Sequence, residues 1–142
     1  VRAISGGRDG TVREWDLVSG EMLKTAVAHR GWVNSVAYHP DGRQVLSAGH
    51  DGVAIEWDWV DGKESQAFEH GDWVEAVLFL GDGRICTVGK DAQIQVWNRE
   101  NGERLATLCG HESAVHALVV SPDGEALVSG SADSTALVWR LS

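Results

Sequence analysis

Proline and cysteine are scarce in this 142-residue chain, two of each, and Lys and Arg are outnumbered 12 to 21 by Asp and Glu. Each shortage narrows the choices. A net charge of −9 argues against a surface built to grip phosphates, so nucleic acid is not the expected partner. Cys86 and Cys109 lack the spacing of a disulfide framework or a zinc site. Both are expected as buried free thiols in a reducing, cytoplasmic setting. No apolar run nears the roughly 18 residues of a membrane-spanning helix, and no signal-peptide pattern opens the sequence, so a membrane is not expected as a partner. No histidine pair or His-Cys cluster has metal-ligand spacing, so neither a metal nor another cofactor is expected.

What is abundant is glycine (17) and tryptophan (7), and both fall at regular intervals. His29-Arg30-Gly31-Trp32-Val33, His70-Gly71-Asp72-Trp73-Val74 and His111-Glu112-Ser113-Ala114-Val115 begin 41 residues apart in both steps. Trp57, Trp97 and Trp139 close the units at steps of 40 and 42. Asp41-Gly42, Asp82-Gly83 and Asp123-Gly124 keep the 41-residue step. A second turn series runs Asp9-Gly10, Asp51-Gly52, Asp91-Ala92, Asp133-Ser134. In the middle unit, residues 72–79, 84–89, 93–97 and 104–109 read as strands separated by turn residues. Asp-Gly and Asn-Gly supply the positive φ angles that tight hairpins need.

A period of about 40–45 residues built from four strands is that of a β-propeller blade. The expected fold is all-β: four-stranded antiparallel meanders stacked as blades, three full repeats plus part of a fourth. The repeats fall at approximately 1–28 (partial), 29–69, 70–110 and 111–142. With the strands of a blade lettered a to d from inside to outside, the chain reads bcd-abcd-abcd-abc, or fourteen strands.

The motifs Gly110-His111, His39-Pro40-Asp41-Gly42 and Ser121-Pro122-Asp123-Gly124 stand in register. So do Ser5-Gly6-Gly7-Arg8-Asp9 through Trp15-Asp16, and the closing pairs Trp57-Asp58, Trp97-Asn98 and Trp139-Arg140. On these motifs the whole chain resembles the WD-repeat family. Ala28 and Glu69 depart from that pattern before His, as Asn98 and Arg140 do after Trp. The resemblance implies a non-catalytic scaffold that holds a protein or peptide on one propeller face. The alternatives are a sensor or autoinhibitory module of a larger enzyme, or a self-assembling propeller fragment. Starting at strand b and stopping after strand c, the residues are expected to be the C-terminal part of a larger ring. A homo-oligomer is the expectation if the chain closes a ring with copies of itself.

Every full unit carries a hydroxyl, an imidazole, a carboxylate and an indole: His29, Ser47, Asp51, Trp57; His70, Thr87, Asp91, Trp97; His111, Ser129, Asp133, Trp139. The first unit keeps Ser5, Asp9 and Trp15. A nucleophile, base and orienting acid could make a hydrolase. An active site is needed once, however, and this set recurs every 41 residues. The resemblance implies instead a buried network running Asp to His to Ser or Thr to Trp N–H, with no catalytic residue.

Binding is expected among the residues that vary between units. The family's docking face draws on three positions per blade. Three residues after each His come Trp32, Trp73 and Ala114; two further on, Asn34, Glu75 and His116; before the turn Asp, Arg8, His50, Lys90 and Ala132. Trp32 and Trp73 are flanked by charge, the composition of an interface hot spot. An enzyme within the propeller would need one unrepeated acid–base pair, for which His116 with Glu75 is the candidate. Trp59 is expected to fill a blade edge.

Overall fold

The computed structural model describes residues 1–141, and all of their regular secondary structure is β. In chain order the strands are β1 (Arg2–Gly6), β2 (Thr11–Asp16), β3 (Met22–Val27), β4 (Val33–Tyr38), β5 (Gln44–Gly49), β6 (Val53–Asp58), β7 (Lys63–Glu69), β8 (Val74–Leu80), β9 (Arg84–Gly89), β10 (Ile94–Asn98), β11 (Arg104–Leu108), β12 (Val115–Val120), β13 (Ala126–Ser131) and β14 (Ala136–Arg140). They form four antiparallel sheets: β1–β3, β4–β7, β8–β11 and β12–β14, each a meander of sequential hairpins. Three strands, four, four and three reproduce the bcd-abcd-abcd-abc pattern. Turn chemistry sets each boundary. The second turn series holds φ at 79° at Gly10 and 84° at Gly52, and the same left-handed conformation at Ala92 (66°) and Ser134 (70°). In those two blades a side chain occupies a place that glycine fills without steric cost.

The sheets stack face to face through their leading strands β1, β4, β8 and β12. Alternation along a strand supplies both faces: in β5, Val45 enters the layer beneath the second sheet and Leu46 the layer above it. The first layer gathers Val12, Val33, Val45, Ile55, Trp57 and Trp59. The second gathers Leu46, Phe68, Val74, Ile85 and Trp97. In the third, Cys86, Val88, Ile94 and Val96 meet Val115 and Leu127.

Cys86 is buried there, and burial pushes its thiol up to about 12. Cys109 departs from expectation. It is exposed, because it lies just beyond β11, the outermost strand of its sheet, where no neighbour covers it. Trp59, placed by sequence at a blade edge, is buried between the first two sheets with the Lys24 ammonium 5.0 Å from its ring centre.

Two of the seams between sheets bury a glutamate. Between the first and second, the Tyr38 hydroxyl donates to buried Glu14 at 2.6 Å, and Arg2 reaches the same oxygen at 3.4 Å. Burial and then the Glu14 carboxylate raise the Tyr38 phenol above its ordinary value. Between the second and third, Phe79 stands where Tyr38 stood and offers no hydroxyl. Arg99 covers that ring at 5.3 Å and donates to buried Glu56 at 2.7 Å. At the corresponding place in the third seam no carboxylate is buried, and Val96 and Val120 share one apolar cluster. No described residue covers the far face of the fourth sheet. Val119 and Val138, the counterparts of Leu78 and Val96, are 59% and 73% exposed.

Candidate functional site

The start of each strand a, the b–c turn and the end of each strand d lie at one end of the sheets. The four-residue sets expected from sequence come together there. His29 Nε2 lies 2.8 Å from Ser47 Oγ and its Nδ1 lies 3.0 Å from Asp51, while the Trp57 indole N–H donates to Ser47 at 3.0 Å. In the next sheet the ring is turned over: His70 Nδ1 meets Thr87 at 2.8 Å and Nε2 meets Asp91 at 3.0 Å, with Trp97 donating to Thr87 at 2.8 Å. In the last, His111 lies 2.7 Å from Ser129 and 2.9 Å from Asp133, with Trp139 donating to Ser129 at 2.8 Å. Trp15 repeats the final link to Ser5 at 2.8 Å.

A neutral imidazole has one donor and one acceptor, and these chains use each once: indole N–H to hydroxyl, hydroxyl to ring nitrogen, ring N–H to carboxylate. The carboxylates also cap the loop, accepting from the Arg30 N–H (Asp51), the Gln93 N–H (Asp91) and the Glu112 N–H (Asp133). The Thr135 hydroxyl first, then the Glu112 N–H and His111, hold the Asp133 carboxyl well below the usual carboxylate range.

The hydroxyl-to-imidazole distances match those of a hydrolase, but the chemistry does not follow. Ser47, Thr87 and Ser129 are fully buried, and each oxygen already accepts an indole N–H. A carbonyl substrate has no approach to them.

At the same end a second set lies on the surface. The Arg8 guanidinium sits 4.2 Å from the Trp32 ring centre. Trp32 stacks on His50 at 4.8 Å and 25°, and His50 on Trp73 at 4.1 Å and 10°. Lys90 Nζ closes the row 4.0 Å above Trp73. Arg8, Trp32, His50, Trp73 and Lys90 thus form one ladder of cations and rings crossing three sheets. The backbone sets its register: the His50 N–H donates to Trp32 O at 2.9 Å and the Lys90 N–H to Trp73 O at 3.0 Å. The Ala132 N–H makes the same bond to Ala114 O at 2.9 Å, where neither side chain can extend the row.

Three segments, residues 20–58, 62–98 and 102–140, match the family model of the WD domain, G-beta repeat. The chain belongs to the WD-repeat family. Its relatives include nuclear distribution protein PAC1 of Coccidioides posadasii, 32% identical over 97% of this chain and 34% of that protein. Others are the guanine nucleotide-binding protein subunit beta of Nicotiana tabacum, 32% identical over 96% of this chain and 40% of that one, and subunit beta-2 of the same plant, 36% identical over 96% and 39%. The chain therefore spans between a third and two fifths of the length of these relatives.

The remaining expected residues of the WD repeats sit apart from the ladder. Asn34, Glu75 and His116 do not continue the alternation from Trp32, Trp73 and Ala114. Each is the extra residue of a β-bulge at the start of β4, β8 and β12, skipped in the pairing of Val33 with Gly49 and Ser35 with Ala48, and likewise in the other two. A bulge re-aims its side chain. Asn34 donates to Val74 O of the next sheet at 3.1 Å, and Glu75 reaches His116 of the next at 3.7 Å. No cluster of three or more metal-ligating side chains occurs among the described residues.

Sequence reasoning passed over the cleft of about 550 Å³ at the other end of the second and third sheets. It is lined in part by Glu56, Asp58, Asp82, Asn98, Arg99 and Glu100. The signal was present: Glu precedes Trp at positions 14 and 56, Val at 96 and 138, and these vary in step with Tyr38, Phe79 and Val120.

Proposed function

We propose that the chain is a non-catalytic docking module that holds a protein or peptide on the end carrying Arg8, Trp32, His50, Trp73 and Lys90. The ladder is the observation that supports this reading. Two tryptophans are 42% and 41% exposed, held in fixed orientation by their neighbours. Large aromatic side chains whose rotamers are set before binding contribute contact area with little ordering cost. The buried network beneath holds the loops that carry them, which gives the Ser-His-Asp sets a structural role. Membership of a family whose relatives include a G-protein subunit supports the same reading.

The test is partner recovery by pull-down with Trp73→Ala and Lys90→Glu. Recovery should fall sharply for both while thermal melts show both still folded. Unchanged recovery by folded variants refutes this face.

A further inference from the structure

Both π-faces of each ladder tryptophan are already covered, Trp32 by Arg8 and His50, Trp73 by His50 and Lys90. To stack on a ring face, a partner's lysine, methylated lysine or nucleobase would have to displace one of these neighbours. The ring edges stay in solvent, and the edge of an aromatic ring is its electropositive part. Neither the Trp32 nor the Trp73 indole N–H donates to a group among the described residues. The ends of the row are a guanidinium and an ammonium, and its middle is an imidazole. In a chain of net charge −9, this strip offers donors along its length and a full positive charge at each end.

The carboxylates nearby keep their charge but are turned toward local partners, and Glu75 faces His116. Asp9 takes the Thr11 hydroxyl and Arg13, Asp51 and Asp91 hold the buried histidines, and Asp72 accepts the Trp73 N–H. Steps of 4.0 to 4.8 Å between successive members make the ladder as long as about five residues of extended peptide.

We propose that the ladder binds an acidic extended peptide, with Asp and Glu side chains of the partner meeting Arg8, Lys90 and the tryptophan edges. The inference rests on the docking reading above and names the chemistry of the partner. Charge complementarity of this kind acts on encounter rate and selectivity and is weakened by salt.

One experiment separates the two claims. Random peptides displayed on phage are selected on the protein, and the enriched sequences are synthesised. Their binding is measured to the unsubstituted protein and to Trp73→Ala, Arg8→Glu and Lys90→Glu, each with an unchanged near-ultraviolet circular dichroism spectrum. The two charge reversals lie in different sheets and keep the test intact if the tryptophan variant unfolds. The expected result is enrichment in Asp and Glu, with affinity falling about tenfold or more in both charge reversals and the loss shrinking at high salt. Enriched peptides that are basic or uncharged, yet lose binding in the variants, overturn the acidic specificity and leave the docking surface standing. Absence of enrichment, or equal binding by all variants, overturns the docking surface itself.

Discussion

An imidazole sealed from water needs a partner on both nitrogens, and the repeated set meets that need inside each blade. Removing the acid leaves a fully buried ring with one nitrogen unpaired. Asp91→Ala should therefore destabilise the fold by about 1–3 kcal/mol, read from thermal melts. The same geometry fixes a sign for pH. Asp133 titrates below its ordinary 3.8 because Thr135, the Glu112 N–H and His111 hold its charged form. Its contribution is complete above the unfolded value and is lost as pH falls through the lowered one. Melting curves taken between about pH 5 and pH 2 should show a shallower acid limb for Asp133→Asn than for the unsubstituted chain. Sequence named the four recurring members of each network, since recurrence at 41 residues marks a structural part, but not Thr135, which joins Asp133 and His111 in the last blade alone. It also named each rung of the ladder. That the rungs stack on one another depends on where the loops aim side chains, and spacing alone carries no such information. Cys109 was misplaced for a related reason: an apolar neighbourhood in sequence says nothing about whether another sheet lies outside it.

Strands were the most legible elements. Residues 84–89 match β9 at both ends, because the Gly-rich turns beside it punctuate the alternation. The bulges at Asn34, Glu75 and His116 were not legible, since an extra residue present in every repeat leaves the 41-residue period intact. The polar seams were hidden too. Glu14 and Glu56 occupy strand positions that composition alone would give to solvent, yet both are buried. Truncating Arg99 strands the Glu56 carboxylate against Phe79. Arg99→Ala should cost about 2–4 kcal/mol in denaturant unfolding, and adding Glu56→Gln should recover much of it. A double variant no more stable than Arg99→Ala would show that the ion pair is not the source of the loss.

The stack as a whole is held by contacts between adjacent sheets, so its outermost faces have no such support. Val119 and Val138 lie bare on one of them, and β3 at the other end of the stack exposes Val27. Prepared by itself, a polypeptide of these 142 residues should self-associate. Light scattering should show species heavier than one chain, shifting to lower mass in Val119→Lys with Val138→Lys. A monodisperse single chain before substitution would contradict the expectation.

The three seams carry a consequence for how such a gene can change. Units that share a 41-residue template look exchangeable to recombination, which acts on similarity between copies. Their boundaries are not all exchangeable. The third unit could follow the first, since it brings Arg99 together with Phe79 to meet Glu14 as they meet Glu56. Setting the fourth after the second would instead leave Glu56 facing Val120, with Leu141 in the place of Arg99. A buried glutamate at the end of one unit therefore requires that the next unit bring a partner for it, and a reordering that strands Glu56 should cost stability.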